Sequence, residues 1–354
     1  MRVPFDWLKE FVEIAGSPEE VAEKLTMIGL EVEGIESVDG NEVLEVNVTP
    51  NRSDCLSILG IARELSVAFN SPLKIPQHAL NSKQPVSGFS IEIVNPELCN
   101  RYTGRLIKGV KIFDSPSWIK NRLEKCGIRS INNIVDITNY VLLEFGHPLH
   151  AFDADTIKGE KIIVNTAGKN SKIVTLDGIE RELPEDALLI WDSTRPVAIA
   201  GVMGGLKTEV SAHTSNIFLE SAYFAPSSIR KTSKTLNLFS ESSYRFERGT
   251  DIEFLKNALN RAAQMIHEIA GGTIHAIDDA YHVKYAPETV TVRYEQINKI
   301  LGTEVPNGDM LEMLMKLGMS VQDKGNFFSV SPPPYRRDIQ RENDIAEEVA
   351  RFFG

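Results

Sequence analysis

The sequence predicts a multidomain α+β protein in which a large central body is flanked by two small, related α+β units. Three observations carry this expectation. The two ends of the chain repeat each other. Each repeat orders its helix and hairpin signals in the same way. The stretch between them mixes strand and helix patterns and is long enough to bury a core of its own. A length of 354 residues suits two or three domains.

The repeat is legible residue by residue. When Val3 is set against Val292, Phe5 meets Tyr294, Leu8 meets Ile297, Phe11 meets Ile300, Leu25 meets Leu314 and Gly29 meets Gly318. After a shorter hairpin in the second copy, Pro50, Arg52 and Asp54 meet Pro334, Arg336 and Asp338. Glu64 then meets Glu348, and Phe69 meets Phe353. In each copy a short strand runs into a helix (residues 2–4 then 5–13, and 290–293 then 294–301). A second helix follows. In the first copy Ser17-Pro18-Glu19-Glu20 supplies an N-cap serine, a first-turn proline and acids at the dipole's positive end. In the second copy Pro306-Asn307-Gly308-Asp309 stands in its place, and Gly29 and Gly318 mark the stops. A hairpin and a closing amphipathic helix (56–69 and 343–353) complete what reads as a winged-helix-like α+β unit. In the shared Pro-x-Arg-x-Asp motif the aspartate is expected to cap the last helix, with the arginine packed or paired nearby.

Residues 71–88 are polar and proline-bearing and read as a linker. Beyond them, strands are expected at 90–93, 102–108 and 161–167. Helices are expected at 117–126, 131–144 and 252–270, with a hairpin turn at Asp177-Gly178.

Composition narrows the function. A net charge of −11 argues against a general nucleic-acid coat but leaves room for a local basic patch. No stretch approaches the ~20 apolar residues of a bilayer span, and the N-terminus is too acidic and interrupted for a secretory signal. Cys55, Cys99 and Cys126 are scattered without metal-ligand spacing, which suits a reducing, cytoplasmic compartment.

Several segments carry candidate chemistry. In 131–153, Asn132, Asn133, Asp136, Thr138 and Asn139 interrupt an apolar helix, so they form a buried hydrogen-bond network or meet a ligand. His147 and His150 flank a proline turn at Pro148, and with Asp153 they could ligate zinc. The small-residue run 197–205 allows close backbone approach, as a tight turn or a pocket floor. It lacks the lysine of a phosphate-binding loop. Glu220 ends an apolar strand, where a carboxylate is either paired, with Arg230 or Arg245, or functional. Residues 239–249 alternate charges with aromatics, as an ion-paired loop or an RNA contact.

Taken in order, VNVTPNRSDCLSILGIARE, INNIVDITNYVLLEFGHPLHAFD, AIAGVMGG, SYRFERGTD and PPYRRDIQRENDIAEEVARFFG resemble the β-subunit family of bacterial-type phenylalanyl-tRNA synthetases, over essentially the whole chain. The resemblance implies a first, B1-like domain at 1–85, a fused B3/B4 editing domain at 86–283 and a B5 domain at 284–354. The family's OB-fold tRNA-binding insert has no counterpart, because only 37–45 separate the flanking motifs. The catalytic-like and anticodon-binding domains expected further on are also lacking, which suggests an expressed fragment or a short paralogue. By resemblance, ligation belongs to the α subunit, with ATP and Mg2+ used by the complete enzyme of two α and two β chains. This chain would need no metal or cofactor, and its partners would be tRNA(Phe) and the α subunit, not a membrane.

The implied activity is hydrolytic editing of Tyr-tRNA(Phe). His150 would position the attacking water or the terminal ribose, and a neutral histidine is a possible general base. Thr138 and Asn139 would bind the substrate backbone and adenosine region. Gly201 would form the pocket floor, and Glu220 would accept a hydrogen bond from the tyrosine hydroxyl. Pro148, Ser240 and Ser242 complete the substrate-binding set, with Ser242 standing where the family commonly has alanine. The alternative is a non-catalytic tRNA/RNA-binding or subunit-interaction scaffold.

Overall fold

A computed structural model describes residues 1–76 and 84–353. The chain divides into two compact units, one formed by Met1–Pro76 with Tyr285–Gly354 and the other by Gln77–Lys284. The first unit unites the two repeats.

The first copy runs β1 (Arg2–Pro4), α1 (Phe5–Phe11), α2 (Pro18–Met27), β2 (Val32–Val38), β3 (Asn41–Val46) and α3 (Ile58–Ala68), with sheet order β1-β3-β2. The α2 start is a capping box: Ser17 Oγ accepts from the Glu20 amide at 3.3 Å, and Glu20 Oε2 accepts from the Ser17 amide at 2.8 Å. A cap of this kind stabilises a helix by about 1 kcal/mol. Ser57, not Asp54, caps α3, accepting from the Gly60 amide at 2.9 Å. The tight Asp39-Gly40 turn joins β2 to β3 directly.

The second unit begins with β4 (Ser90–Ile93), β5 (Cys99–Lys108), α4 (Ser117–Lys125), α5 (Asn133–Phe145), β6 (Leu149–Asp153) and β7 (Lys161–Thr166). It continues through β8 (Lys172–Val174), β9 (Glu180–Glu182), β10 (Leu188–Trp191), β11 (Pro196–Ile199), β12 (Met203–Gly204) and β13 (Asn216–Phe224). It ends with α6 (Pro226–Thr235), α7 (Glu241–Phe246), α8 (Leu255–Ala270) and β14 (Thr273–Tyr281). A five-stranded sheet, β12-β11-β10-β7-β4, is antiparallel except for the β4/β7 pair. A four-stranded antiparallel sheet, β14-β5-β13-β6, faces it. One core joins them: Ile162, Val164, Leu189 and Val197 meet Tyr102, Leu106, Phe218 and Phe224. Strand alternation then sorts β13. Phe218, Ala222 and Phe224 lie in the core between the sheets. Ser221 turns the other way, its hydroxyl donating to the Leu255 carbonyl of α8 at 3.1 Å. Glu220 shares the alternation of Phe218 and therefore points between the sheets. Of the expected linker 71–88, residues 77–83 lie outside the described residues; the rest carries no helix.

The second copy repeats the first: β15 (Val290–Arg293), α9 (Tyr294–Leu301), α10 (Asn307–Lys316), β16 (Ser320–Asp323), β17 (Phe327–Ser331) and α11 (Glu342–Phe353), with order β15-β17-β16. Val3 pairs with Leu44 across β1/β3, and its counterpart Val292 pairs with Phe328 across β15/β17. The aligned pairs Leu25/Leu314, Ile61/Ile345 and Ala62/Ala346 are all buried. Phe11 and Ile300 do not match, since Phe11 is buried while Ile300 is 43% exposed. No side chain caps α10, in contrast to α2.

The shared Pro-x-Arg-x-Asp motif forms the same kind of ion-pair cluster twice, and not a helix cap. Arg52 donates to Asp54 at 3.0 and 2.8 Å and to Glu64 at 2.6 Å. Arg336 donates to Asp338 at 2.9 and 2.8 Å and to Glu348 at 2.8 and 2.7 Å. Burial would raise Asp54, yet Arg52 holds it down at about 2. The guanidinium, two residues away and forked, outcompetes a backbone amide for the carboxylate. Arg351 bridges the copies, pairing with Glu64 in one and with Glu348 in the other, and donating to the Ile28 carbonyl at 2.7 Å.

Candidate functional site

Between the two sheets of the second unit lies a cavity of about 360 Å³, within the ordinary range for a small-molecule site. Its walls include Thr138, Asn139, Pro148, His150, Gly201, Glu220, Ser240 and Ser242. All eight candidate residues from four separate sequence segments therefore converge on one space.

Each is positioned by a local cause. Asn132 begins α5 by accepting from the Ile134 and Val135 amides at 3.1 and 3.0 Å. Asn133 ties the helix to the segment before α4, donating to the Lys111 carbonyl at 2.8 Å. Asp136 accepts from Ser115 and Ser130 hydroxyls and the Ile131 amide at 2.5, 2.5 and 2.8 Å. These three form the buried network that fixes α5. Thr138 and Asn139 of the same helix face the cavity; Thr138 Oγ1 donates to the Val135 carbonyl at 2.7 Å. The Asn139 amide has no hydrogen-bond partner among the described residues and is open to a ligand.

His150 on β6 and Glu220 on β13 are directly opposed across the antiparallel pair, so their side chains rise from Cβ atoms about 5 Å apart on one face. The His150 ring packs edge-on to Phe152, with centroids 4.4 Å apart. Burial depresses its pKa to about 4, so the imidazole is neutral at physiological pH. Burial pushes Glu220 up to about 7, opposed by a hydrogen bond from Tyr102. That bond is 2.5 Å long, from Tyr102 Oη to Glu220 Oε2. The partner of Glu220 is thus Tyr102, not Arg230 or Arg245. Arg245 is held by Glu241 at 2.6 Å, and Arg230 is exposed.

The glycine run makes the opposite wall. Gly201 has φ +66°, which disfavours any L side chain. A Cβ there would lie 2.9 Å from the Phe246 ring and 3.0 Å from that of Phe224. A Cβ on Gly204 would lie 2.6 Å from His150 Cε1 and 2.8 Å from Nε2. Only a bare backbone at 204 leaves room for the imidazole. Ser240 is the N-cap of α7 and donates to the Val202 carbonyl at 2.8 Å, joining α7 to that run. Ser242, half-buried two residues on, lines the cavity. Gly204 and Tyr102 were not singled out from sequence. Gly204 lies in the small-residue run, whereas nothing local marks Tyr102, whose role depends on a strand 118 residues away.

The zinc alternative fails on geometry. His147 is buried beside Phe246, outside the cavity lining, with burial depressing it to about 3. Asp153 accepts from the Thr214 hydroxyl at 2.6 Å and the Asp155 amide at 3.1 Å. Among the described residues the only group of potential ligand atoms is Asp54, Cys55 and Glu64, and Arg52 already occupies it. The three cysteines are free thiols. Among the described residues no helix is long and apolar enough to cross a membrane.

Comparison with known proteins places the chain in a family. Residues 98–271 match the B3/4 domain, and residues 290–354 match the tRNA synthetase B5 domain. The phenylalanine–tRNA ligase β subunit of Moorella thermoacetica is 47% identical over 327 residues, 92% of this chain and 40% of that protein. The corresponding subunit of Carboxydothermus hydrogenoformans is 46% identical over 328 residues, 92% of this chain and 41% of that protein. The chain thus spans about 40% of the length of these relatives. In fold it is similar to an N-terminal fragment of the phenylalanyl-tRNA synthetase β subunit from Pyrococcus horikoshii, with TM-score 0.54, 18% identity, and coverage of 100% of this chain and 99% of that one. With a B3/4 domain and a B5 domain in sequence, and close relatives of one name, the chain belongs to the phenylalanine–tRNA ligase β-subunit family.

Proposed function

We propose that the cavity hydrolyses tyrosine esterified to tRNA(Phe), as the editing site of a phenylalanyl-tRNA synthetase. The observation that carries this reading is the direct opposition of His150 and Glu220 inside one cavity of suitable size. On this reading 1–85, 86–283 and 284–354 are the B1-like, editing and B5 domains. The partners are tRNA(Phe) and the α subunit of a complete cytoplasmic enzyme of two α and two β chains. ATP and Mg2+ serve ligation in that complete enzyme, whereas ester hydrolysis consumes only water.

The chemistry follows from the walls. Phenylalanine and tyrosine differ by one hydroxyl. Glu220 accepts that hydroxyl's hydrogen bond, while phenylalanine would leave the carboxyl oxygen that Tyr102 does not engage without a partner. Asn139, with its free amide, and Thr138 hold the substrate backbone and terminal adenosine. Pro148, Gly201, Ser240 and Ser242 shape the space around the side chain. His150, neutral at physiological pH, accepts a hydrogen bond from the attacking water or the terminal ribose. Water adds to the ester carbonyl, the bond between that carbonyl carbon and the ribose oxygen breaks, a proton from the water passes to that oxygen, and tyrosine and tRNA leave. The test compares Tyr-tRNA(Phe) deacylation by the chain, by His150→Ala and by Glu220→Ala. The account expects both variants to lose most of the rate; three identical rates at the uncatalysed level would overturn it. A chain that binds tRNA but leaves the ester intact would instead be a scaffold.

A further inference from the structure

Tyr102 lies behind Glu220, away from the cavity. It is fully buried and absent from the cavity wall, whereas Glu220 lines it. On β5 and β13, Tyr102 pairs with Ala222 and Gly104 pairs with Glu220, so the two side chains are diagonal neighbours on one face. The Phe218 ring fills the space over Gly104, where a Cβ would come within 2.0 Å of it. Phe218 in turn stacks on Phe89, with centroids 4.5 Å apart. Aromatic rings therefore pack beside the carboxyl, and the Tyr102 hydroxyl is its one hydrogen-bond donor among the described residues. A carboxylate has about four lone-pair sites across two oxygens. Tyr102 engages Oε2, and Oε1 has no partner among the described residues.

We propose that Tyr102 is a positioning residue for specificity: its phenol holds Glu220 Oε2, so that Oε1 is kept for the phenol of the substrate. The inference rests on the functional reading above, with Glu220 as the tyrosine acceptor. The buried carboxyl thus carries a permanent internal phenol of the same chemistry as the group it selects. The titratable groups facing Glu220 are Tyr102 and Cys99 from β5, His150 from β6, and Glu209 across the cavity. Burial lifts the Glu220 carboxyl and the Tyr102 bond pulls it down. With that bond the carboxyl titrates near neutrality, and without it the carboxyl holds its proton to higher pH. It then becomes a donor as well as an acceptor and is free to turn, and it no longer demands a phenol.

The test is the titration of Glu220 in the whole chain, read by 13C NMR of labelled glutamate carboxyls and assigned by the signal lost in Glu220→Gln. In Tyr102→Phe the midpoint is expected to rise by about one pH unit, and the preference for Tyr-tRNA(Phe) over Phe-tRNA(Phe) to fall about fivefold at pH 7, as the ionised share of Glu220 falls. Thermal unfolding confirms that the variant folds. Should it not fold, 3-fluorotyrosine placed at position 102, a stronger donor of nearly the same size, is expected to lower the midpoint. A space-filling role would move neither midpoint, and an unmoved Glu220 titration overturns the proposal. If the wild-type chain hydrolyses no ester, that failure falls on the functional reading, and the titration still decides the role of Tyr102.

Discussion

Gly204→Ala is the sharpest perturbation available at the cavity. Gly204 is not among the glycines with positive φ, so alanine suits its backbone and the whole effect is one of space. The new methyl would stand 2.6 Å from His150 Cε1 and 2.8 Å from Nε2, with Leu176 Cδ1 at 3.2 Å on another side. Ordinary contact begins at 3.4 Å, so the imidazole must yield by roughly 0.8 Å. Its path is limited by the Phe152 ring 4.4 Å away. A displacement near 1 Å in a catalytic group costs on the order of 10²-fold in rate, and overpacking costs about 1–3 kcal/mol in stability. The assay is single-turnover deacylation of Tyr-tRNA(Phe), paired with urea unfolding and the His150 imidazole NMR signals. Gly308→Ala serves as the control, since nothing lies within 4 Å of its new methyl. The expected outcome is a rate about 10²-fold lower with shifted His150 signals and a fold still cooperative. An unchanged rate with an unchanged His150 environment would refute the claim that the bare backbone at 204 holds the ring in place.

Other outcomes follow from the same geometry. Glu220 is raised from 4.5 to about 7 in the folded chain, so the native state binds the extra proton between those values and its stability declines as pH rises through them. The difference in urea stability between wild type and Glu220→Gln should therefore change by about 3 kcal/mol from pH 4.5 to 7, and a flat difference would contradict the burial argument. His147 is depressed from 6.5 to about 3, which has the opposite sign: its contribution is intact above pH 6.5 and lost as pH falls toward 3. His147→Phe should flatten that part of the acid-unfolding profile, and an unaltered profile would count against it. Arg336→Ala removes the guanidinium from half-buried Asp338 and leaves buried Glu348 with Arg351 alone, and should cost about 3 kcal/mol. Replacing Arg336 by Met together with Glu348→Leu should recover much of that loss in urea titrations; no recovery would contradict the pairing account.

The repeat was the most legible feature because it depends only on comparing the chain with itself. Its helix stops at Gly29 and Gly318, both at positive φ, and its aligned apolar positions are buried in both copies at Leu8/Ile297 and Leu25/Leu314 but not at Phe11/Ile300. The Asp54 and Asp338 roles were not legible. A carboxylate after arginine can bond a backbone amide or the guanidinium, and only the fold shows that Glu64 and Glu348 complete a buried cluster. In the cavity, the residue types pointed to the segments that line it, and the network of Asn132, Asn133 and Asp136 is the one the buried polar pattern demands. The partner of Glu220 could not be read in the same way. Arg230 and Arg245 are near it in sequence, while Tyr102 reaches it only because β5 lies beside β13. The parallel β4/β7 pairing is likewise non-local, with no turn chemistry to announce it. The long helix α8 begins at Leu255, three residues later than its apolar pattern suggested. Asp251 there forms a turn, accepting from the Glu253 amide at 2.8 Å.

The central claim is that Glu220 reads a phenol hydroxyl in a cavity where His150 assists hydrolysis. The most direct measurement is the ratio of deacylation rates for Tyr-tRNA(Phe) and Phe-tRNA(Phe), in wild type and in Glu220→Ala. The account predicts a wild-type preference for the tyrosyl ester of at least about 10²-fold, because a buried acceptor left unpaired is costly, and a preference near unity in the variant. Equal hydrolysis of both esters by the wild type, or a preference that survives removal of Glu220, would contradict it.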